Sequence, residues 1–160
     1  MPLYSRILFQ LKSSRHLARN TLNMYLVCIA ILVSACGGGK ATSLPSEVAI
    51  IDHPAASPSG KYILIILEGS DSGSNYQSFQ IKNLHNEEVL YTSGDHFSTR
   101  HTTYFLWDKD DRVWVYSGDV GKFFWEYDVT AGAWEKHSFS ESNVPAPEFL
   151  KNMRPGKYTR

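Results

Sequence analysis

The sequence predicts an antiparallel all-β domain, and three observations predict it. From Glu47 onward, apolar residues fall in eight short runs. Glycine, proline and acidic turn residues punctuate those runs at hairpin-like intervals. No stretch long enough for a core helix carries a sustained 3.6-residue apolar period.

The runs, in order, are Val48–Asp52, Tyr62–Glu68, Ser78–Lys82, Val89–Thr92, Thr103–Trp107, Arg112–Ser117, Phe123–Asp128 and Trp134–Phe139. The breakers between them include Pro58-Ser59-Gly60, Asp71-Ser72-Gly73, Asn86, Gly94, Asp108–Asp111, Gly118–Gly121 and Ala131-Gly132. Tyr62–Leu67 (YILIIL) is apolar at both parities, which predicts a central strand covered on both faces. On that reading Ile65→Ala costs about 2–5 kcal/mol and a charge at Ile65 prevents folding. After Phe139 the prolines at 145 and 147 lead into a short helix, with Glu148 near its positive end. Phe149, Leu150 and Met153 are expected to pack that helix over an open end or edge of the sheet, and Pro155-Gly156 ends it. The basic residues Lys151, Arg154, Lys157 and Arg160 beyond it read as a solvated, frayed tail, with weak attraction to anionic lipid as the alternative.

A faint repeat pairs Pro58-Ser59-Gly60-Lys61-Tyr62-Ile63-Leu64 with Lys109-Asp110-Asp111-Arg112-Val113-Trp114-Val115. Ser57-Pro58-Ser59-Gly60-Lys61-Tyr62 is similar to the turn that opens TolB/WD40-like propeller blades, with Ser59 where that family has aspartate. Two blades cannot close a ring that takes about four to eight. The expected architecture is therefore a sandwich or partial barrel of two four-stranded, blade-like meanders, with a short C-terminal helix.

Ahead of this domain the chain has a different character. Residues 1–35 contain Arg6, Lys12, Arg15 and Arg19 and no acid. Met24–Ala35 is a continuous run of apolar and small residues, too short for the about 20 residues that cross a hydrocarbon core and suited to a secretory signal. Val33-Ser34-Ala35-Cys36-Gly37-Gly38-Gly39 follows, and this segment resembles the lipobox of bacterial lipoproteins. The resemblance implies acylation of the Cys36 thiol and cleavage ahead of it by signal peptidase II. Val33 stands where leucine is commoner. In that family an aspartate after the cysteine favours the inner membrane; Gly37 here implies the periplasmic face of the outer membrane. Several acyl chains together anchor a protein stably, where one alone does not. The expected organisation is a signal peptide over 1–35, a lipidated cysteine and flexible tether over 36–46, and an all-β domain over 47–160.

The formal net charge is zero. Without residues 1–35 the balance is 12 basic against 16 acidic residues, or −4, which gives no basic face for nucleic acid. Cys28 and Cys36 both lie outside the domain, so no disulfide framework supports it.

Chemistry is hard to place. Asp95, His96 and His101 share the polar loop Gly94–Thr102, but their spacing matches no standard metal-ligand pattern. No serine sits in a Gly-x-Ser-x-Gly elbow, and no glycine-rich loop opens a helix. Asp108, Asp110 and Asp111 resemble the start of a calcium loop without its glycine or its glutamate, and read as a solvated turn. No metal or other cofactor is expected. The salient feature is aromatic density from Tyr104 to Trp134. Burial is the default for such residues; an open face is the alternative, with Trp114, Tyr116 and Trp125 as anchors and Arg112, Asp119 and Glu126 at the rim. These observations favour a non-catalytic, membrane-anchored binding module for an envelope protein or glycan, in one version an inhibitor-like or immunity-type lipoprotein. The rivals are an envelope hydrolase using Asp95, His96 and His101, and a structural assembly lipoprotein.

Overall fold

The computed structural model describes residues 44–158; the expected signal segment, Cys36, the expected tether through residue 43, and Arg160 lie outside the described residues. The described residues form two antiparallel sheets of five strands and a short C-terminal helix.

The strands are β1 (Val48–Ala49), β2 (Ala55–Ala56), β3 (Tyr62–Asp71), β4 (Ser74–Asn83), β5 (Val89–Thr92), β6 (Phe97–Ser98), β7 (Thr103–Trp107), β8 (Val113–Ser117), β9 (Gly121–Asp128) and β10 (Ala133–Ser138). The first sheet runs β2-β3-β4-β5, with β6 also paired to β4; the second runs β1-β7-β8-β9-β10. The meander from β7 to β10 is the four-stranded unit expected there.

The strand expected over Val48–Asp52 is instead divided between the sheets. Ile50 and His53 exchange two backbone hydrogen bonds at 3.1 Å, and Asp52 adopts a left-handed φ of 62°. This tight turn carries the chain from β1, paired with β7, to β2, paired with β3. Ala49 and Ala55 flank it and are buried. Their small side chains let the backbone pass where the sheets approach.

The β3–β4 hairpin is longer than its apolar runs. Its register continues to Asp71 opposite Ser74, around Ser72 (φ 48°) and Gly73 (φ 78°). Two consecutive left-handed residues define the turn whose twist matches paired strands. Within β3, Leu64 and Ile66 are buried, whereas Ile63, Ile65 and Leu67 are only half-buried. The expectation of a doubly covered strand fails because, among the described residues, no layer lies over the outward face. Ile63 and Ile65 stand opposite Lys82 and Gln80, whose stems flank them. Leu64→Ala is therefore expected to cost about 2–5 kcal/mol and Ile65→Ala only about 1 kcal/mol, in chemical denaturation. The loop expected over Gly94–Thr102 contains β6, whose Phe97 is fully buried.

The doubly covered strand is β8, buried at all five positions. On one side Phe105, Trp107, Val113, Val115 and Trp125 meet Leu64, Ile66, Phe79, Ile81 and Phe97 of the first sheet. On the other side Leu106, Trp114, Tyr116 and Phe124 are covered by Phe139, Ala146, Leu150 and Tyr158. The order of layers is sheet, sheet, C-terminal segment.

Helix α1 (Glu148–Met153) follows Pro147 and buries Leu150, while Phe149 meets the Tyr104 ring edge-on at 5.5 Å. Met153 is 45% exposed and does not join the core, contrary to expectation. Nor is the tail frayed as far as residue 158. The Arg154 guanidinium lies over the rings of Tyr104 and Tyr116, at 5.6 and 5.1 Å, and Tyr158 packs against Phe139. The Tyr158 hydroxyl is buried and has no hydrogen-bond partner among the described residues. Burial, then the nearby Tyr116, raises its pKa far above the ordinary value. The fold thus favours the neutral phenol, so its contribution is complete below pH of about 10 and declines as pH rises beyond that. Tyr158→Phe is expected to leave stability at pH 7 unchanged or raise it by about 1 kcal/mol. The variant should also lose part of the alkaline decline seen in thermal melts across pH 9–12.

Candidate functional site

The site begins with one aspartate. In the turn from β7 to β8, Asp108 Oδ1 accepts the backbone N–H groups of Asp110 (2.9 Å) and Arg112 (3.1 Å). Its Oδ2 accepts Arg112 Nε and Trp114 Nε1, both at 2.8 Å. The Asp108 side chain is only 8% exposed, yet both oxygens are satisfied. Arg112 also reaches Asp110 at 2.5 Å and Glu126 at 3.8 Å. Burial works against its charge, but Asp108, Asp110 and Glu126 outweigh burial and raise its pKa. Within the triple-aspartate turn, Asp108 is therefore an internal clamp. Asp110, with its side chain 45% exposed, and the half-buried Asp111 keep wet faces, so the turn departs from the solvated one expected at Asp108.

A second turn braces the first. Ser59 N–H donates to Asp111 Oδ1 at 3.0 Å, although the residues are 52 positions apart. Gly60 and Asp111, matched in the sequence repeat, both adopt left-handed φ values, 70° and 60°. Both turns also close with the same backbone bond, Gly60 N–H to Ser57 O and Asp111 N–H to Asp108 O. The repeated sequence thus encodes a repeated turn.

Between this clamp and the C-terminal segment lies a cleft of about 740 Å³. Pro145, Ala146, Pro147 and Phe149 line one wall, the Asp108–Arg112 turn lines another, and Ala56 and Pro58 border it. Ser46 and Glu47, at the entry to β1, complete the lining. The size suits a small molecule, and the surface is mostly apolar. Its cations are already engaged. Lys109 binds Asp110 at 2.9 Å, Lys151 binds Glu148 at 2.6 Å, and Arg112 sits in the clamp. Glu47 has no ion-pair or side-chain hydrogen-bond partner among the described residues.

The open aromatic face, the alternative to burial, does not form among the described residues. Trp114 and Trp125 are fully buried and Tyr116 is 8% exposed. Val113 opposes Trp125 and Trp114 opposes Phe124, so the two tryptophans lie on opposite faces of the second sheet. Both faces are covered, one by the first sheet and one by the C-terminal segment. Of the six residues expected at such a site, Arg112, Trp114 and Glu126 gather around the clamp. Tyr116 lies under Arg154. Asp119 is beyond the far end of β8, where it accepts the Ser117 hydroxyl and the Val120 N–H. The Ser117 hydrogen bond, aided by Val120 N–H, holds its carboxyl below the usual range.

The loop residues are similarly dispersed. Asp95 binds Lys136 at 2.7 Å, the His96 ring stacks on Tyr76 at 3.7 Å, and the His101 Cβ lies beside Gly118. Among the described residues, no three His, Cys, Asp or Glu side chains converge to hold a metal. Sequence reasoning missed Asp108, Glu47 and the Pro145–Phe149 wall. The one local signal was an aspartate four residues before an arginine and six before a tryptophan.

No family model matches the chain, and neither does any curated protein or solved structure.

Proposed function

We propose that this chain is a lipid-anchored envelope lipoprotein, held through Cys36 at the periplasmic face of the outer membrane, that acts as a non-catalytic binding module with its ligand in the 740 Å³ cleft. The cleft is the observation that carries this reading. It is apolar, braced on one side by a satisfied charge network, and bordered by residues 46 and 47 where the proposed tether ends. A module tethered there meets ligands at the membrane surface. The lipobox-like segment around Cys36 supports the address. Asp95 pairs with Lys136, His96 stacks on Tyr76, and no three His, Cys, Asp or Glu side chains converge among the described residues, so no geometric observation favours the hydrolase alternative.

Two measurements test the proposal. Mass spectrometry of protein recovered from membranes should find an acylated N-terminus at Cys36; an intact, unacylated N-terminus on cytosolic protein removes the address. Ala56 is exposed at the cleft border, so Ala56→Trp fills the space at little cost to folding. The small-molecule fraction of an envelope extract should raise the melting temperature of the unaltered protein and not that of the variant. Equal rises in both would mean that the ligand binds elsewhere.

A further inference from the structure

We infer that the ligand of this cleft is a small amphiphile bearing a single positive charge, its apolar body against the Pro145–Phe149 wall and its cation at Glu47. This inference rests on reading the cleft as the ligand site, and it assigns the chemistry that site selects.

The charges around the cleft lead to it. Asp108 has no accepting capacity to spare for a ligand, because its two oxygens already accept four hydrogen bonds. Asp110 is shared between Lys109 and Arg112, and Glu148 is held by Lys151. Each cation at the cleft is likewise engaged. An anionic ligand meets cations whose charge Asp108, Asp110 and Glu148 already balance, and with Glu47 the lining carries four acids against three bases. A cationic one needs no rearrangement, since the half-buried Glu47 is the charged side chain of the lining that has no partner among the described residues. A carboxylate beside an apolar wall attracts a cation more strongly than one in open water, because the wall displaces screening solvent.

The position of Glu47 is fixed by the fold. Its carbonyl accepts the Trp107 N–H at 3.0 Å, and Val48 N–H donates to Pro45 O at 3.0 Å. The backbone is thus pinned to β7 on one side and turned by Pro45 on the other. The opposite wall supplies apolar surface from two prolines and Phe149, with few polar groups to compete for water. A volume of about 740 Å³ holds a single drug-sized molecule and not a folded partner.

Three probes with one eight-carbon chain test the inference: octylammonium, octanol and octanoate. Each is titrated calorimetrically into full-length protein in phospholipid nanodiscs, with empty nanodiscs subtracted. Octylammonium should bind about tenfold more tightly than octanoate, the discrimination that one partly shielded charge pair supplies. Glu47→Gln should abolish that preference while retaining octanol binding, and Ala56→Trp should abolish binding of all three. Equal affinities for octylammonium and octanoate would overturn the charge assignment and leave the cleft as the site. If no probe binds while Ala56→Trp still blocks stabilisation by envelope extract, the ligand chemistry falls and the binding module stands. A peptide as the extract's active component would overturn the small-molecule assignment in the same way.

Discussion

Truncating Trp125 to alanine is expected to destabilise the domain by about 4–5 kcal/mol, at least about a third of the 5–15 kcal/mol typical of a single domain. The indole is fully buried between the sheets and meets the Phe79 ring edge-on at 4.9 Å. Its Nε1 donates to the Tyr91 hydroxyl at 2.9 Å, tying β9 to β5 across the interior. Removing it leaves a void lined by aromatics and a tyrosine hydroxyl without its donor. Trp125→Phe retains much of the packing and should cost about half as much. Urea denaturation followed by far-ultraviolet circular dichroism gives both values. A loss below about 2 kcal/mol for the alanine variant would mean that the sheets do not share this core. By the same reasoning, Trp114→Ala reports on folding, because that indole is also fully buried.

The second large effect falls on Asp108. Asp108→Ala is expected to cost about 3 kcal/mol, because it leaves Arg112 largely buried without its main partner and Trp114 Nε1 without an acceptor. Asp110 and Glu126 soften the loss, since both still reach the guanidinium. Removing both charges is a different matter. Asp108→Ala combined with Arg112→Met should recover at least half of the deficit, as a buried pair contributes little beyond what apolar packing provides. A double variant no more stable than Asp108→Ala alone would show that the clamp stabilises through geometry that methionine cannot replace. The single variant should also lose ligand affinity, because the turn that forms one wall is held through Asp108.

The strands were legible where alternation or turn chemistry was local. Val113–Ser117 and Phe123–Asp128 are bounded by residues that terminate strands, and Ser72-Gly73 sits where the hairpin turns. The apolar run in β3 misled because sequence gives parity but not the number of layers. Ile63 and Ile65 read as buried, yet among the described residues that face carries no third layer, whereas β8 has covers from two segments distant in sequence. Strand β6 was hidden because two residues cannot display a period, although Phe97 stood out as an apolar residue in a polar loop. The candidate site was the least legible part. Its walls come from residues near 47, 57, 110 and 147, which no spacing rule connects. An aspartate in a turn is usually solvated, and the side chain of Asp108 is withdrawn from solvent by its bonds to Arg112 and to the buried Trp114, a pairing that spacing alone does not reveal.

The division of the first strands between two sheets also bears on the rate of folding. Val48 pairs with Leu106, and the Ala55 carbonyl accepts the Trp107 indole N–H from 52 residues away. An exported chain folds after translocation, with both partners already present, so the length of chain between them sets the order of steps. The hairpins from β7 to β10 close short loops and can assemble without the opening strands. Loop-closure entropy then orders the steps, with the C-terminal meander as nucleus and the N-terminal edge docking last. Substitutions in β8 should slow refolding, whereas substitutions at Ala49 or Ala55 should mainly hasten unfolding.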